Sequence, residues 1–426
     1  MQPTPPLPAA LPFLGLLLSI AILPATAPRF WLRRMGWVAA GWCALLFPLL
    51  GFGAAGAMGW HTLVADYWPF IALLGALYTA SGGILLRGGP GGRPAGNTLV
   101  LALGMALGLV MGPTGAAMVT IQPLLHANAH RRRKAHLVLF LIVLVANASG
   151  ALTPLGNPPL FVGLLRGVPF FWPMRHLLAP YLVFTALLLG LFWLVDRRFV
   201  ASEVTTQAPA PPRQPLRVRG WGNAGLIAVL AVSTVLQGAS ETGRLIGGGV
   251  ALATIAVSLA ITPRAVRRAN AFTWHPMAEV AILFAGLFVT LAPVSALLRA
   301  GPEGPLGPIF ALTADAAGVP RLWAYFWVCG LVSGFLDNAP AYMVFFDLAG
   351  IRPEAMTAAQ TETLRAISLG AVLFGGLTYI GNAPNLMLRA VAAHRGVRMP
   401  GFFGFLLLSA AVLVPALLLI TVTFFL

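Results

Sequence analysis

The sequence predicts an all-α polytopic membrane protein made of two inverted repeats of five transmembrane helices, each with a re-entrant hairpin and a broken helix. Three observations carry this: an apolar composition, arginines that segregate to one side only if two segments double back, and two motifs that recur at a single offset. Of the 426 residues, 58% are hydrophobic and 9% charged, against about 25% charged in a soluble domain. Mean hydropathy is +0.86. Apolar stretches long enough to cross a bilayer recur along the whole chain, so the expectation is an integral membrane protein. No stretch between them is long enough for a soluble domain.

The net charge of +16 does not point to nucleic acid, because the basic residues form short clusters between apolar spans rather than one stripe. Residues 11–27 are apolar and end in Ala25-Thr26-Ala27, but no Lys or Arg precedes Arg29. The segment therefore reads as a first membrane helix and not as a signal peptide. Cys43 and Cys329 both fall in apolar runs and are expected to be free thiols.

Twelve apolar segments follow one another: 11–28, 35–58, 64–86, 97–127, 135–165, 176–195, 221–240, 245–261, 275–298, 321–348, 364–390 and 402–425. If 97–127 and 321–348 enter and leave on one face, ten crossings remain and both termini lie outside. Twenty of the 27 Lys and Arg residues then face the cytoplasm, among them Arg29, Arg33, Arg34, Arg131, Arg132, Arg133, Lys134, Arg264, Arg267 and Arg268. Making both segments full crossings would send the clusters between them outward, against the positive-inside rule. The first repeat is thus 1–199, with hairpin 97–127 and broken helix 135–165. The second is 221–426, with hairpin 321–348 and broken helix 364–390. Pro-, Ala- and Thr-rich residues 200–220 read as a cytoplasmic linker.

Gly112-Pro-Thr-Gly-Ala-Ala-Met-Val119 corresponds to Asp337-Asn-Ala-Pro-Ala-Tyr-Met-Val344. Thr153-Pro-Leu-Gly-Asn-Pro-Pro159 corresponds to Thr378-Tyr-Ile-Gly-Asn-Ala-Pro384. Positions 112 and 337 lie 225 apart, as do 153 and 378, so both pairs share one register.

These stretches cannot be continuous helix. Pro158 and Pro159 remove two backbone donors, and Pro154 and Gly156 loosen the preceding turn. Carbonyls freed in hydrocarbon must be satisfied by protein, water or an ion. Thr153, Asn157, Thr378 and Asn382 add side-chain oxygens at the same depth, and neutral oxygen donors suit a hard cation such as Na+. Thr114 and Asn338 sit at the hairpin tips. Gly156, Gly381 and Asn385 belong to the breaks, and Asn147 and Ser149 precede the first one, where polar helix packing is an equal expectation.

Asp337 stands out. A lone carboxylate inside an apolar run is costly unless protonated or paired with a cation, and a group that alternates between those states performs the elementary step of cation/proton antiport. The competing expectation is a protonated Asp that caps the hairpin turn with Asn338. Asp347 and Glu279 are expected near the interfaces, Asp66 at a helix start, and His126, His130 and His136 in a solvated turn. A membrane-embedded enzyme is not indicated: His-Glu-x-x-His, Gly-x-Gly-Asp and paired Asp-rich motifs are all missing from the sequence.

Leu336-Asp-Asn-Ala-Pro340, Thr153-Pro-Leu-Gly-Asn-Pro-Pro159 and Thr378-Tyr-Ile-Gly-Asn-Ala-Pro384 resemble the ion transporter superfamily, which includes NhaD-type sodium/proton antiporters, arsenite permeases and citrate or dicarboxylate transporters. The resemblance implies a homodimer with a central scaffold and elevator-like movement of the site-bearing part. The carboxylate-transporting branch usually carries Ser-Asn-Thr at both tips; of that pattern only Thr114 and Asn338 remain, and Asp-Asn-Ala-Pro looks more like the antiporter side. The expectation is a Na+(Li+)/H+ antiporter of the plasma (inner) membrane with no cofactor beyond its transported ions. Asp337, Asn157 and Asn382 are the leading Na+ ligands. Cation-coupled transport of citrate, another small carboxylate or an oxyanion is the alternative.

Overall fold

The computed structural model describes residues 4–89, 91–203, 214–238, 241–315 and 318–426. The chain is an all-α polytopic membrane protein. Its peripheral helices, including Leu11–Thr26, Trp172–Glu203, Trp221–Gln237 and Phe402–Phe424, expose many large apolar side chains such as Leu14, Leu182, Val232 and Leu407. That is the surface a bilayer covers, and in water it would be an aggregation patch.

Both predicted hairpins double back. Pro94–Ala127 is helical on either side of Gly112, which takes φ 73° and ψ 160°. A straight helix would separate Asn97 from Asn128 by about 46 Å; instead their side chains exchange hydrogen bonds of 2.7 and 3.1 Å. Midway along, a Cβ on Gly104 would lie 2.7 Å from Thr120 Oγ1, so a small residue lets the arms touch. The second hairpin joins Leu322–Leu336 to Asn338–Leu348 through Asp337 (φ 99°, ψ 149°), and the Tyr325 and Phe345 rings meet at 6.4 Å across its arms.

The two broken helices form the centre. Ala135–Phe140 continues through a π-turn, Leu141–Val145, into irregular backbone at 146–157, and helix resumes over Pro158–Leu165. Ala358–Leu373 passes through 377–382 to Ala383–His394 in the same manner. Residues 137–157 and 366–379 are buried throughout, as expected of segments apolar on every face.

Several expectations need correction. Residues 214–219 of the predicted linker form a strand, Gln214–Arg219, paired antiparallel with Leu85–Gly89. Val218 faces Leu86 across the ladder, and the alternation of Arg217, Val218 and Arg219 is the period-two signal that the Pro content obscured. Residues 204–213 lie outside the described residues. The second and third segments also divide earlier than predicted, at Gly51 (φ 82°), which supplies the positive φ that ends Leu46–Leu50 and starts Phe52–Thr62.

One polar cluster differs as well. Arg131 and His136 are not in a solvated turn: both bond Asp196 Oδ1, at 2.7 and 2.8 Å, and Asn97 donates to Asp196 Oδ2 at 2.8 Å. This fastens the open end of the first hairpin to Trp172–Glu203; His126 is exposed as expected. Asp347, expected toward the outer end of its hairpin, lies in the last turn of Asn338–Leu348, buried and paired with Arg166 at 2.9 Å and Arg299 at 3.2 Å.

Candidate functional site

Both hairpin tips and both breaks converge on one cavity of about 80 Å3, which also receives Leu74, Leu77 and Tyr78 of Trp68–Ser81 and Pro276, Met277, Val280 and Phe284 of His275–Arg299. Gly112, Pro113 and Thr114 enter from the first tip, Asp337 from the second, Leu155 and Pro158 from the first break, and Asn382, Ala383 and Pro384 from the second. Among the described residues its lining holds no Lys, Arg or His.

Local geometry repeats at the 225-residue offset. Asn157 (φ −153°, ψ 135°) and Asn382 (φ −160°, ψ 139°) are both extended residues just before a new helix. Thr153 Oγ1 donates to Leu109 O and accepts from Gly156 N. Thr378 Oγ1 donates to Gly334 O at 2.6 Å and accepts from Gly381 N at 3.0 Å. Each threonine thus pins a break to the first arm of the hairpin beside it and satisfies a carbonyl that lipid could not. The glycines serve close approach: a Cβ on Gly156 would sit 2.7 Å from Gly150, and one on Gly381 2.6 Å from Gly334 O.

Between the breaks runs a buried amide network. Asn338 Nδ2 donates to Asn157 Oδ1 at 2.9 Å. Asn382 Nδ2 donates to Ala146 O and to Asn147 Oδ1. Asn147 Nδ2 donates to Ile142 O and Asn385 Oδ1, and Asn385 Nδ2 closes the chain on Gly375 O and Thr378 O. Asn147 and Asn385 therefore stand one layer behind the cavity and hold the two breaks together. Ser149 bonds Val145 O and packs where a Gly108 Cβ would be, 1.9 Å away, which is the packing role. One polar atom in this network is left over: Asn338 Oδ1 is buried and has no hydrogen-bond partner among the described residues.

Asp337 is half-buried and opens onto the cavity. Its Oδ1 accepts from Asn338 N at 2.6 Å, the cap of Asn338–Leu348, and no ion pair to it is present among the described residues. At the equivalent position of the first hairpin stands Gly112 with nearly the same backbone angles. The φ/ψ of Asp337 belongs to a region that is essentially glycine's, at a cost on the order of 1–3 kcal/mol for other residues. A carboxylate is held there although glycine would fit the turn better.

Four helices start at the cavity wall, after Gly112, Asp337, Asn157 and Asn382, and aim their positive ends at it. Prolines occupy their first turns at positions 113, 158, 159, 340 and 384, so the dipoles are present while several N–H donors are not. Sequence reasoning found the tips and breaks but missed Tyr78, Pro276 and Phe284, which come from apolar helices with nothing to distinguish them from core.

The family model described as "Putative citrate transport" matches residues 3–425. No curated protein matches the chain. The chain belongs to this citrate transport family, within the ion transporter (citrate transporter-like) group.

Proposed function

We propose that this member of the citrate transport family is a secondary active transporter in which Asp337 exchanges a proton for a monovalent cation, Na+ or Li+, as in antiport. The observation that carries this reading is the carboxylate of Asp337, kept in a glycine-type turn beside a cavity without basic side chains among the described residues. The orphaned Asn338 Oδ1 supplies a neutral oxygen next to it, and carbonyls of the breaks complete an oxygen-only set of the kind a hard cation takes. Thr153 and Thr378, whose hydroxyls are already engaged, act on this reading by shaping the breaks. A cavity of about 80 Å3 suits an ion with a few waters better than the 300 Å3 and upward of ordinary small-molecule sites. The equivalent tips and breaks are taken as two inverted repeats that rock the site between faces by alternating access.

Cation-coupled citrate transport is the second reading. The family description and the four helix N-termini aimed at the cavity favour it, since such termini attract carboxylates. Proteoliposomes separate the two. Na+- or Li+-driven collapse of a pH gradient without citrate, abolished by Asp337→Asn, supports antiport. Uptake of labelled citrate that requires the cation, with no cation-driven proton movement in its absence, establishes the second reading instead.

A further inference from the structure

We infer that the chain carries a binding site for an anionic phospholipid on the side of the molecule away from the transport cavity. An apolar groove of about 560 Å3 opens there between residues 28–50 and 52–63, floored by His275–Arg299. Small residues make it concave: Gly36 and Ala40 on one wall, Ala55 and Gly59 on the other, Ala285 and Gly286 beneath. Among the described residues the lining carries no charged side chain.

Length and charge identify the occupant. Lining residues on the first wall run from Gly36 to Phe47, roughly 16 Å at 1.5 Å per residue. That is about the depth of one leaflet, half of a hydrocarbon core of ~30 Å. Arg33 and Arg29 precede Gly36 by three and seven residues, so helical spacing puts both on the groove face, one and two turns beyond its end. Both are exposed and form no ion pair among the described residues. They lie in the first two turns of Pro28–Ala44, where the helix terminus adds positive potential. Trp37, 73% exposed, stands beside them in the manner of an interfacial aromatic. An acyl chain in the groove would thus bring a phosphate to Arg29 and Arg33.

The site also touches the transport machinery. Ile282, Ala285 and Val289 face the groove, while Met277, Val280 and Phe284 of the same helix line the transport cavity. A bound lipid therefore braces the scaffold helix behind the site.

Native mass spectrometry of the full chain with phosphatidylglycerol or phosphatidylcholine of matched acyl chains tests this. Each arginine near a headgroup is worth about fivefold, so phosphatidylglycerol should bind roughly 25-fold more tightly, and Arg29→Gln/Arg33→Gln should bring the two lipids to parity. Filling the groove with Ala40→Phe should release both. Equal binding of the two lipids by the unaltered protein overturns the proposal, as does a preference that survives loss of both arginines. If Ala40→Phe leaves lipid binding intact but turns a dimer into monomers, the groove belongs to a second copy of the chain.

Discussion

Replacing Asp337 separates the two demands that meet at that residue. Its backbone sits at φ 99°, ψ 149°, where a Cβ costs on the order of 1–3 kcal/mol. Asp337→Gly removes that strain. Against this gain stand the lost cap from Oδ1 to Asn338 N, a few tenths of a kcal/mol when glycine replaces a capping side chain, and about 0.4–1 kcal/mol for the freer unfolded chain. The glycine variant should therefore be as stable as the parent or up to about 2 kcal/mol more stable. Asp337→Ala keeps the Cβ and loses the cap, and should fall about 1 kcal/mol below the parent. Transport should vanish in both. Thermal unfolding in detergent supplies the stability order and proteoliposome exchange the activity. An alanine variant as stable as the glycine variant refutes the strain argument. Coupled transport by the glycine variant refutes the role of the carboxylate and reduces Asp337 to a helix cap.

Thr378→Val deletes a hydroxyl that bonds Gly334 O, Ile380 N and Gly381 N; each buried group left unpaired costs about 1–3 kcal/mol, so the variant should lose several degrees of thermal stability that Thr378→Ser retains. Asp196→Ala takes the carboxylate partner from buried Arg131 and should cost about 3–5 kcal/mol, read as loss of folded protein by fluorescence-detected size exclusion. Gly150→Ala would put a Cβ 1.7 Å from Gly156 O, backbone against backbone, and should abolish transport even where protein accumulates.

Much of this fold was legible because membrane burial leaves coarse signals. The hairpins followed from arginine placement, and the structure brings Asn97 against Asn128 as a doubled-back segment requires. The breaks followed from Pro and Gly, and Asn157 and Asn382 sit in matching extended conformations. What escaped depended on partners far away in sequence. Asp196 gave no sign that it would meet Arg131 and His136, and Asp347 lies 181 residues from Arg166. The division of labour among the polar candidates was also hidden. Thr153 and Asn157 look equivalent as oxygen donors, yet one hydroxyl is engaged with Leu109 O while the neighbouring amide connects the break to the opposite hairpin tip through Asn338. Type and spacing place a residue at a depth; only packing decides whether its lone pairs stay free.

The pairing of Gly112 with Asp337 bears on both functional readings. Around the cavity the backbone angles at 112 and 157 repeat closely at 337 and 382, and four helix starts give it a positive field that a carboxylate substrate would welcome. When ionised, Asp337 sets one full negative charge against that field. Two unit charges of like sign 4 Å apart repel by about 4 kcal/mol at an effective dielectric of ~20, roughly a thousandfold in affinity, so an ionised Asp337 closes the site to anions. A proton or a metal cation on the carboxylate reverses this. In an antiporter that alternation is the whole cycle; in a citrate transporter it would fix the order of binding, cation before carboxylate. The glycine at 112 supplies the turn without the charge, so a single neutralisation event is enough to switch the field at the cavity.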